Sequence, residues 1–248
     1  MAAEVERIES PFRQPVSNQA GPGSEPRLRQ LEIELSLRPM SGYEEEAVEE
    51  RLGHPNTAAL CNEILARCLV APGADFAHSL RRVRGLLVAE RDIALIRLRR
   101  RSLGDQVEVE VDCPACGTSN DARFNLDALP LPDHQVPERL HVTLEDGNEV
   151  ELRLPTAGDQ ERLFDARIDK DSRRRTWLLA QCITRLGNRE GSPDEDTVRS
   201  LAVIDRRVLE RALEAALPAL DLGMELTCCQ CGHTFSTPFD VSAFFLPS

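Results

Sequence analysis

Aromatic residues are scarce in this 248-residue chain, making up 4 %, with a single Trp and a single Tyr. Proteins that hold single-stranded nucleic acid do so on rows of aromatic platforms, which this composition does not supply. An excess of positive charge is missing as well. The 30 Lys and Arg face 42 Asp and Glu, for a formal net charge of −12 and a sequence pI near 5.0. A phosphate-binding chain shows the opposite balance or a basic stripe. No apolar run approaches the roughly 20 residues that a membrane-spanning helix requires. The first residues, Met1-Ala2-Ala3-Glu4-Val5-Glu6-Arg7, are charged and carry no apolar leader, so a cytoplasmic protein is expected, in a compartment where disulfides are rare.

Catalytic signatures are absent too. His54, His78, His134, His141 and His233 show no His-Glu-x-x-His spacing, and none lies beside a Gly-x-Ser-x-Gly elbow. Neither a phosphate-cradling Gly-x-x-x-x-Gly-Lys-Ser/Thr loop nor a Gly-x-Gly-x-x-Gly turn occurs. The run Glu44-Glu45-Glu46, with Glu49 and Glu50, has no apolar neighbours to bury it and reads as an exposed helix face. No enzyme and no small-molecule substrate are expected; function by binding remains.

What the chain does have is one passage written twice. Val109-Glu110-Val111-Asp112-Cys113-Pro114-Ala115-Cys116-Gly117, continuing through Phe124 to Leu131-Pro132, aligns without a gap to Met224-Glu225-Leu226-Thr227-Cys228-Cys229-Gln230-Cys231-Gly232, continuing through Phe239 to Leu246-Pro247, at a constant spacing of 115 residues. Each copy reads as strand, Cys-x-x-Cys-Gly turn, strand. Two cysteines two residues apart reach one ion if the backbone turns tightly between them, and a glycine after the second supplies the left-handed conformation. Cys113, Cys116, Cys228 and Cys231 then make a closed structural zinc site, with Zn–S of about 2.3 Å and no position for an activated water. The competing readings are disulfides, a redox Cys-x-x-Cys and reduced core cysteines; compartment weighs against the first, and the strand-like residues after each pair against the second. Cys229 stands where Pro114 stands in the first copy, which makes it a spare thiol. His233 is read as a solvated turn residue, with donation to a ligand sulfur as the alternative. Cys61 and Cys68, with Leu65 between them on one helical face, and Cys182 are assigned to core packing.

Along the chain, residues 1–28 read as a disordered polar arm. Alternation over Leu31–Leu37 predicts a half-buried strand, and Ser41 with Glu44 a capping box that opens a short acidic helix through Leu52. Pro55 in a first turn predicts a second helix, with Leu60, Ile64, Leu65, Cys68 and Leu69 on its face, and a third spans about Glu90–Arg101. Arg97, Arg99, Arg100 and Arg101 at its end, after Arg91, read as a solvated terminus near the negative pole of the helix, with a contact for an acidic partner as the sharper alternative. Two alternating stretches around Asp146-Gly147-Asn148 predict a hairpin with a three-residue loop, pairing Leu144 with Val150, Val142 with Leu152 and Leu140 with Leu154. Thr156 with Asp159 starts a helix; Leu163, Phe164, Trp177–Leu179, Cys182, Ile183 and Leu186 predict two helices or a broken one closed by Gly187. Ser192-Pro193-Asp194-Glu195 reads as another capping box, and a last helix spans about Arg206–Leu217.

Several of these phrases, in order, carry a resemblance: Leu37-Arg38-Pro39-Met40-Ser41-Gly42-Tyr43-Glu44-Glu45; Ala89-Glu90-Arg91-Asp92-Ile93-Ala94-Leu95; Leu103-Gly104-Asp105 before Cys-Pro-x-Cys-Gly; Leu152-Arg153-Leu154-Pro155-Thr156; and Cys-x-x-Cys-Gly-His with Phe239-Asp240-Val241. Together they resemble the T4-type phage baseplate hub assembly proteins, especially their relatives in phage-derived contractile injection systems, over about residues 31–245. The chain departs from the family pattern at Tyr43, where Arg is usual, and at Leu103, where Phe is common. The resemblance implies a non-enzymatic assembly factor or structural component whose partners are other baseplate or spike and hub proteins; whether it is a chaperone that departs or a subunit that stays in a tail-like particle, the resemblance does not decide. A zinc-ribbon nucleic-acid-binding or regulatory protein is the alternative, which the acidic residues Glu108, Glu110, Asp112, Asp121 and Glu225 around the knuckles oppose.

The expected architecture is therefore α+β: a small β-rich zinc-ribbon core formed by two knuckles (106–132 and 223–248), a mainly helical N-terminal segment (29–105) and an inserted hairpin with helices (133–222).

Overall fold

The computed structural model describes residues 35–50, 56–70, 73–129, 136–217 and 223–238. The polar arm, residues 31–34 of the first expected strand, Pro55 and the end of the chain beyond Pro238 lie outside them. The fold is mixed, with eight α-helices and three small antiparallel sheets among the described residues.

Leu35 and Leu37 are buried and Ser36 is exposed, as the alternation predicts; Leu37 bridges Leu69, and the Val70 N–H donates to Ser36 O at 2.7 Å. α1 (Gly42–Glu50) opens on Glu44, whose carboxylate accepts from Ser41 N–H and Oγ at 2.9 and 2.8 Å and from both Arg38 Nη atoms. Glu44 is thus 2 % exposed, a correction to its place in an exposed acidic face; Glu45, Glu46, Glu49 and Glu50 are exposed as expected. α2 (Thr57–Cys68) is capped by Asn56 Oδ1, which accepts the Ala59 N–H, and buries Cys61, Ile64, Leu65 and Cys68. α3 (Phe76–Arg84), capped by Asp75, lies outside the expected helices: Phe76, Leu80 and Val83 recur at i, i+4 and i+7, but of these only Val83 is fully buried and Phe76 is 45 % exposed. α4 (Val88–Leu103) is longer at both ends than expected and ends at Gly104, φ +85°. β1 (Gln106–Asp112) pairs with β2 (Ser119–Asn125).

In the segment that follows, β3 (Leu140–Thr143), β4 (Glu149–Leu152), β5 (Ile183–Leu186) and β6 (Arg189–Glu190) form one sheet in that order. The hairpin register differs from the expected one by two residues: Val142 faces Val150 and Leu140 faces Leu152. The three-residue loop is Glu145-Asp146-Gly147, because Gly147 at φ +82° supplies the left-handed position and Asp146 Oδ1 accepts the Asn148 N–H at 2.9 Å. A slip of two preserves which face each side chain occupies, so Leu144, Val150, Leu152 and Leu154 are all buried together.

α5 (Ala157–Asp165) carries the predicted capping box of Thr156 and Asp159. α6 (Asp171–Cys182) runs directly into β5, so Ile183 and Leu186 belong to a strand and Gly187 to its turn; pairing with β4 overrides a pattern that reads as helical. α7 (Glu195–Ser200) is capped by Asp194, whose Oδ1 accepts the Thr197 N–H, and not by Ser192. α8 (Val203–Ala216) begins three residues before Arg206. β7 (Gly223–Thr227) pairs with β8 (Thr234–Pro238).

This element order repeats. α1 and α5 cover 42–50 and 157–165, a spacing of 115; α2 and α6 are 114 apart; α4 and α8 start 115 apart; Asp112 opposite Ser119 recurs as Thr227 opposite Thr234. Local contacts repeat with them. Arg38 pairs with Glu44 as Arg153 pairs with Asp159, and the Arg38 N–H donates to Cys68 O at 2.9 Å as the Arg153 N–H donates to Cys182 O at 2.8 Å. Residues 133–222, expected as an insertion, therefore carry a second set of the N-terminal helices. Two buried clusters result, one around Ile64, Leu65, Leu95, Leu98 and Phe124, the other around Val150, Leu152, Leu179, Ile183 and Leu209.

Candidate metal centre

Each hairpin tip is folded by the same two backbone bonds. The Cys113 N–H donates to Thr118 O and the Gly117 N–H to Cys113 O, at 2.9 and 2.8 Å; in the second copy the Cys228 N–H donates to His233 O and the Gly232 N–H to Cys228 O, at 2.9 and 3.0 Å. Gly117 and Gly232 sit at φ +73° and +69°, the conformation that the motif requires of a glycine.

The two tips meet crosswise. Cys113 Sγ lies 3.7 Å from Cys231 Sγ, Cys116 Sγ lies 3.6 Å from Cys228 Sγ, and all four sulfurs fall within 4.8 Å of one another. Around a dication with metal–sulfur bonds of about 2.3 Å, a tetrahedron of thiolates has edges of about 3.8 Å. The cluster therefore fits a tetrahedral metal whose four positions would all be taken by sulfur.

Backbone amides support the sulfurs. The N–H groups of Cys231 and Gln230 aim at Cys228 and hold its thiol down, at about 6. Contact with Thr118 lowers Cys116. Although the His233 amide pulls Cys231 down, the crowd of neighbouring thiols prevails and pushes it up to about 12. Four sulfurs this close cannot all carry charge unless a cation stands among them. By contrast burial is the main force that raises Cys68 to about 11 and Cys182 to about 12, and these two, with Cys61, lie in the clusters as ordinary small apolar groups.

Asn120, which sequence reasoning missed, joins the two tips. It is 7 % exposed; its Nδ2 donates to Thr118 O at 2.8 Å and its Oδ1 accepts the Cys229 N–H at 2.9 Å. The available signal was its place in β2, on the same inward-facing alternation as Ala122 and Phe124. Thr118 Oγ1 adds a second tie, donating to Gln230 Oε1 at 2.5 Å. The Cys229 side chain is exposed and stands apart from the four-sulfur cluster, and the exposed His233 ring lies parallel to Phe235, centroids 6.2 Å apart.

The arginine cluster at the end of α4 serves the fold. Arg99 donates to Gly104 O and Gln106 O, Arg101 to Leu37 O, and Arg100 pairs with Asp105 and Asp127; Arg91, 5 % exposed, pairs with Asp92. Around the hairpins Glu108, Glu110, Asp112, Asp121 and Glu225 are exposed, giving an acidic rim. No helix among the described residues is long and apolar enough to cross a membrane.

Residues 24–246 match the model of a protein family described as T4 bacteriophage base plate protein, a span that takes in nearly all of the chain. No curated protein and no solved structure matches it.

Proposed function

We propose that this chain, which belongs to the T4 bacteriophage base plate protein family, is a non-enzymatic assembly factor or structural component of the baseplate of a contractile phage-tail-like injection system. Cys113, Cys116, Cys228 and Cys231 hold one structural zinc ion, and the two knuckles form a zinc ribbon. The observation that carries the reading is the four-sulfur cluster of near-tetrahedral edge length, supplied by two hairpins 115 residues apart. A closed thiolate site contributes folding free energy and offers no water for hydrolysis, so what it preserves is a surface. The acidic rim of the hairpins speaks for protein contacts over nucleic acid.

Deleting the gene should abolish intact particles in electron micrographs of lysates, and re-expression should restore them; normal particles in the deletion strain end the proposal. Co-purification of the protein with finished baseplates identifies a resident subunit, and its presence in intermediates alone a transient factor. Elemental analysis should find one zinc per chain.

A further inference from the structure

Within the chain, α5 lies on the face formed by α2 and α3. Glu161, 8 % exposed, accepts from Arg84 Nε at 2.8 Å and from Asn62 Nδ2 at 2.9 Å, while Asp165 accepts from Asn56 Nδ2 at 2.7 Å. The Ala157 N–H donates to Leu86 O at 2.8 Å, and beside this seam Ala89 is buried and Val88 half-buried.

The repeat supplies the same face again on α6, α7 and the start of α8. Arg199 stands for Arg84, Thr176 for Asn62, Lys170 for Asn56, and Val203 and Ile204 for Val88 and Ala89. Among the described residues nothing covers this second face: Val203 is 66 % and Ile204 50 % exposed. A cleft of about 390 Å³ opens there, lined by Ser172, Arg173, Thr176, Arg199 and Arg206, with no carboxylate in its wall. Arg206 is held by Thr176 Oγ1 at 2.7 Å while its buried Nε has no acceptor. The Arg173 side chain has no partner among the described residues, and Arg199 meets only the carboxylates of Glu195 and Asp196, on its own helix. Such a set of guanidinium donors is suited to carboxylates.

The helix that corresponds to α5 is α1, in which Glu46 stands for Glu161 and Glu50 for Asp165, both exposed. In its own chain α1 packs on α2. We propose that the α6–α8 face binds α1 of a second copy of this chain, Glu46 meeting Arg199 and Glu50 meeting Lys170, in repetition of the internal α5 contact. One residue alters the fit. Gly158 approaches Arg84 so closely that a Cβ would meet Arg84 O at 3.1 Å, and its counterpart is Tyr43, 78 % exposed. α1 therefore seats further out than α5, with the Tyr43 ring on Val203 and Ile204. Because α1 and the face that receives it are different surfaces, copies join head to tail, which yields a ring or an open filament and not a closed twofold dimer.

Sedimentation equilibrium on the full chain tests this without any baseplate partner, so its outcome is separate from that of the gene deletion. The average mass should rise with concentration in the micromolar range and fall back as salt is raised. Glu46→Arg and Arg199→Glu should each weaken association at least about tenfold, and the double substitution in one chain should restore it. Both side chains are exposed, and Glu46→Gln with Arg199→Gln gives a milder pair if a charge reversal harms folding. A chain that stays monomeric to about 0.5 mM, association indifferent to both substitutions, or a double variant that fails to recover overturns the inference.

Discussion

The two halves of the chain share their helices and cysteine hairpins but differ in their neighbours, and among the described residues the four-stranded sheet β3–β6 belongs to the second half alone. α2 and α3 are covered by α5, with Arg84 satisfied by Glu161; the matching face on α6 and α7 has Arg199 at the same place, half-exposed beside a cationic cleft. At the thiol cluster both halves contribute alike, two cysteines from each. A repeated sequence thus reproduces what is local (caps, turns, strand register), while the environment of each copy decides what its surface does. This comparison can be broken or sharpened in steps.

The largest effect belongs to the shared cluster. Cys113→Ala and Cys228→Ala should each release the metal, removing a contribution that in small structural zinc sites reaches about 10–16 kcal/mol at neutral pH. Hydrogen exchange should show β1–β2 and β7–β8 losing protection together, whichever copy is altered, while the β3–β4 hairpin keeps its own. If only the altered hairpin loosens, the ion is not shared.

Next comes the core that each half builds for itself. Leu65 and Leu179 occupy matching positions on α2 and α6, 0 % and 1 % exposed. Truncation of either to Ala should cost about 3 kcal/mol in denaturant unfolding, with metal content unchanged. A much smaller loss at one site would mean that its half collapses around the void.

How much of this was legible follows from how local each signal is. The four cysteines were found from spacing alone, and the caps at Ser41/Glu44 and Thr156/Asp159 from a four-residue pattern, because a turn is decided by the atoms within it. Ile183 and Leu186 were placed in a helix because, with Leu179 and Cys182, they recur at helical spacing; the hydrogen bonds that make them a strand come from β4, thirty-odd residues away. α3 has a stripe of only three large apolar residues, Phe76, Leu80 and Val83, in a helix of 9 residues otherwise rich in arginine, too short to stand out in the sequence as amphipathic. The wider repeat escaped notice because outside the hairpins it survives as a pattern of roles, such as Arg38–Glu44 and Arg153–Asp159, and not as identical letters.

Those paired caps provide an acid test. The hydrogen bond from Arg38, helped by Ser41 and outweighing burial, holds the Glu44 carboxyl down at about 2 against an ordinary 4.5. A carboxylate depressed in the folded state stabilises fully above its unfolded value, and that stabilisation disappears as pH falls from about 4.5 toward about 2. At its counterpart Asp159 burial works to raise the value, yet Arg153 and the Thr156 amide together prevail and lower it. Glu44→Gln should remove about 2 kcal/mol at neutral pH and flatten stability over that acid range in chemical denaturation.

Smaller still, and directly a contrast between halves, is Arg84 against Arg199. Arg84→Ala leaves Glu161, 10 % exposed in its side chain, with Asn62 as its remaining side-chain partner, and should cost about 1–2 kcal/mol after allowance for the exposure of Arg84. Arg199→Ala, at the same place in the repeat, should change monomer stability by less than about 0.5 kcal/mol. Equal costs would mean that the second face is covered in the monomer after all.

The smallest expected effect separates the two copies at a single atom. Cys229 stands where the first copy has Pro114, and what the structure uses at this position is its backbone N–H, donated to Asn120 Oδ1, while the thiol is exposed and outside the cluster. Cys229→Ser keeps the amide, so stability should move by no more than about 0.5 kcal/mol and metal stoichiometry should stay the same. Cys229→Pro makes the second turn match the first in sequence but deletes the donor, stranding a buried acceptor at a cost of about 1 kcal/mol or more. Thermal unfolding and metal analysis of the two variants side by side decide the matter. Loss of metal in the serine variant would move the ligand from Cys228 to Cys229 and shift the repeat by one residue, whereas equal stability of the two would show that Asn120 ties the hairpins together through some other bond.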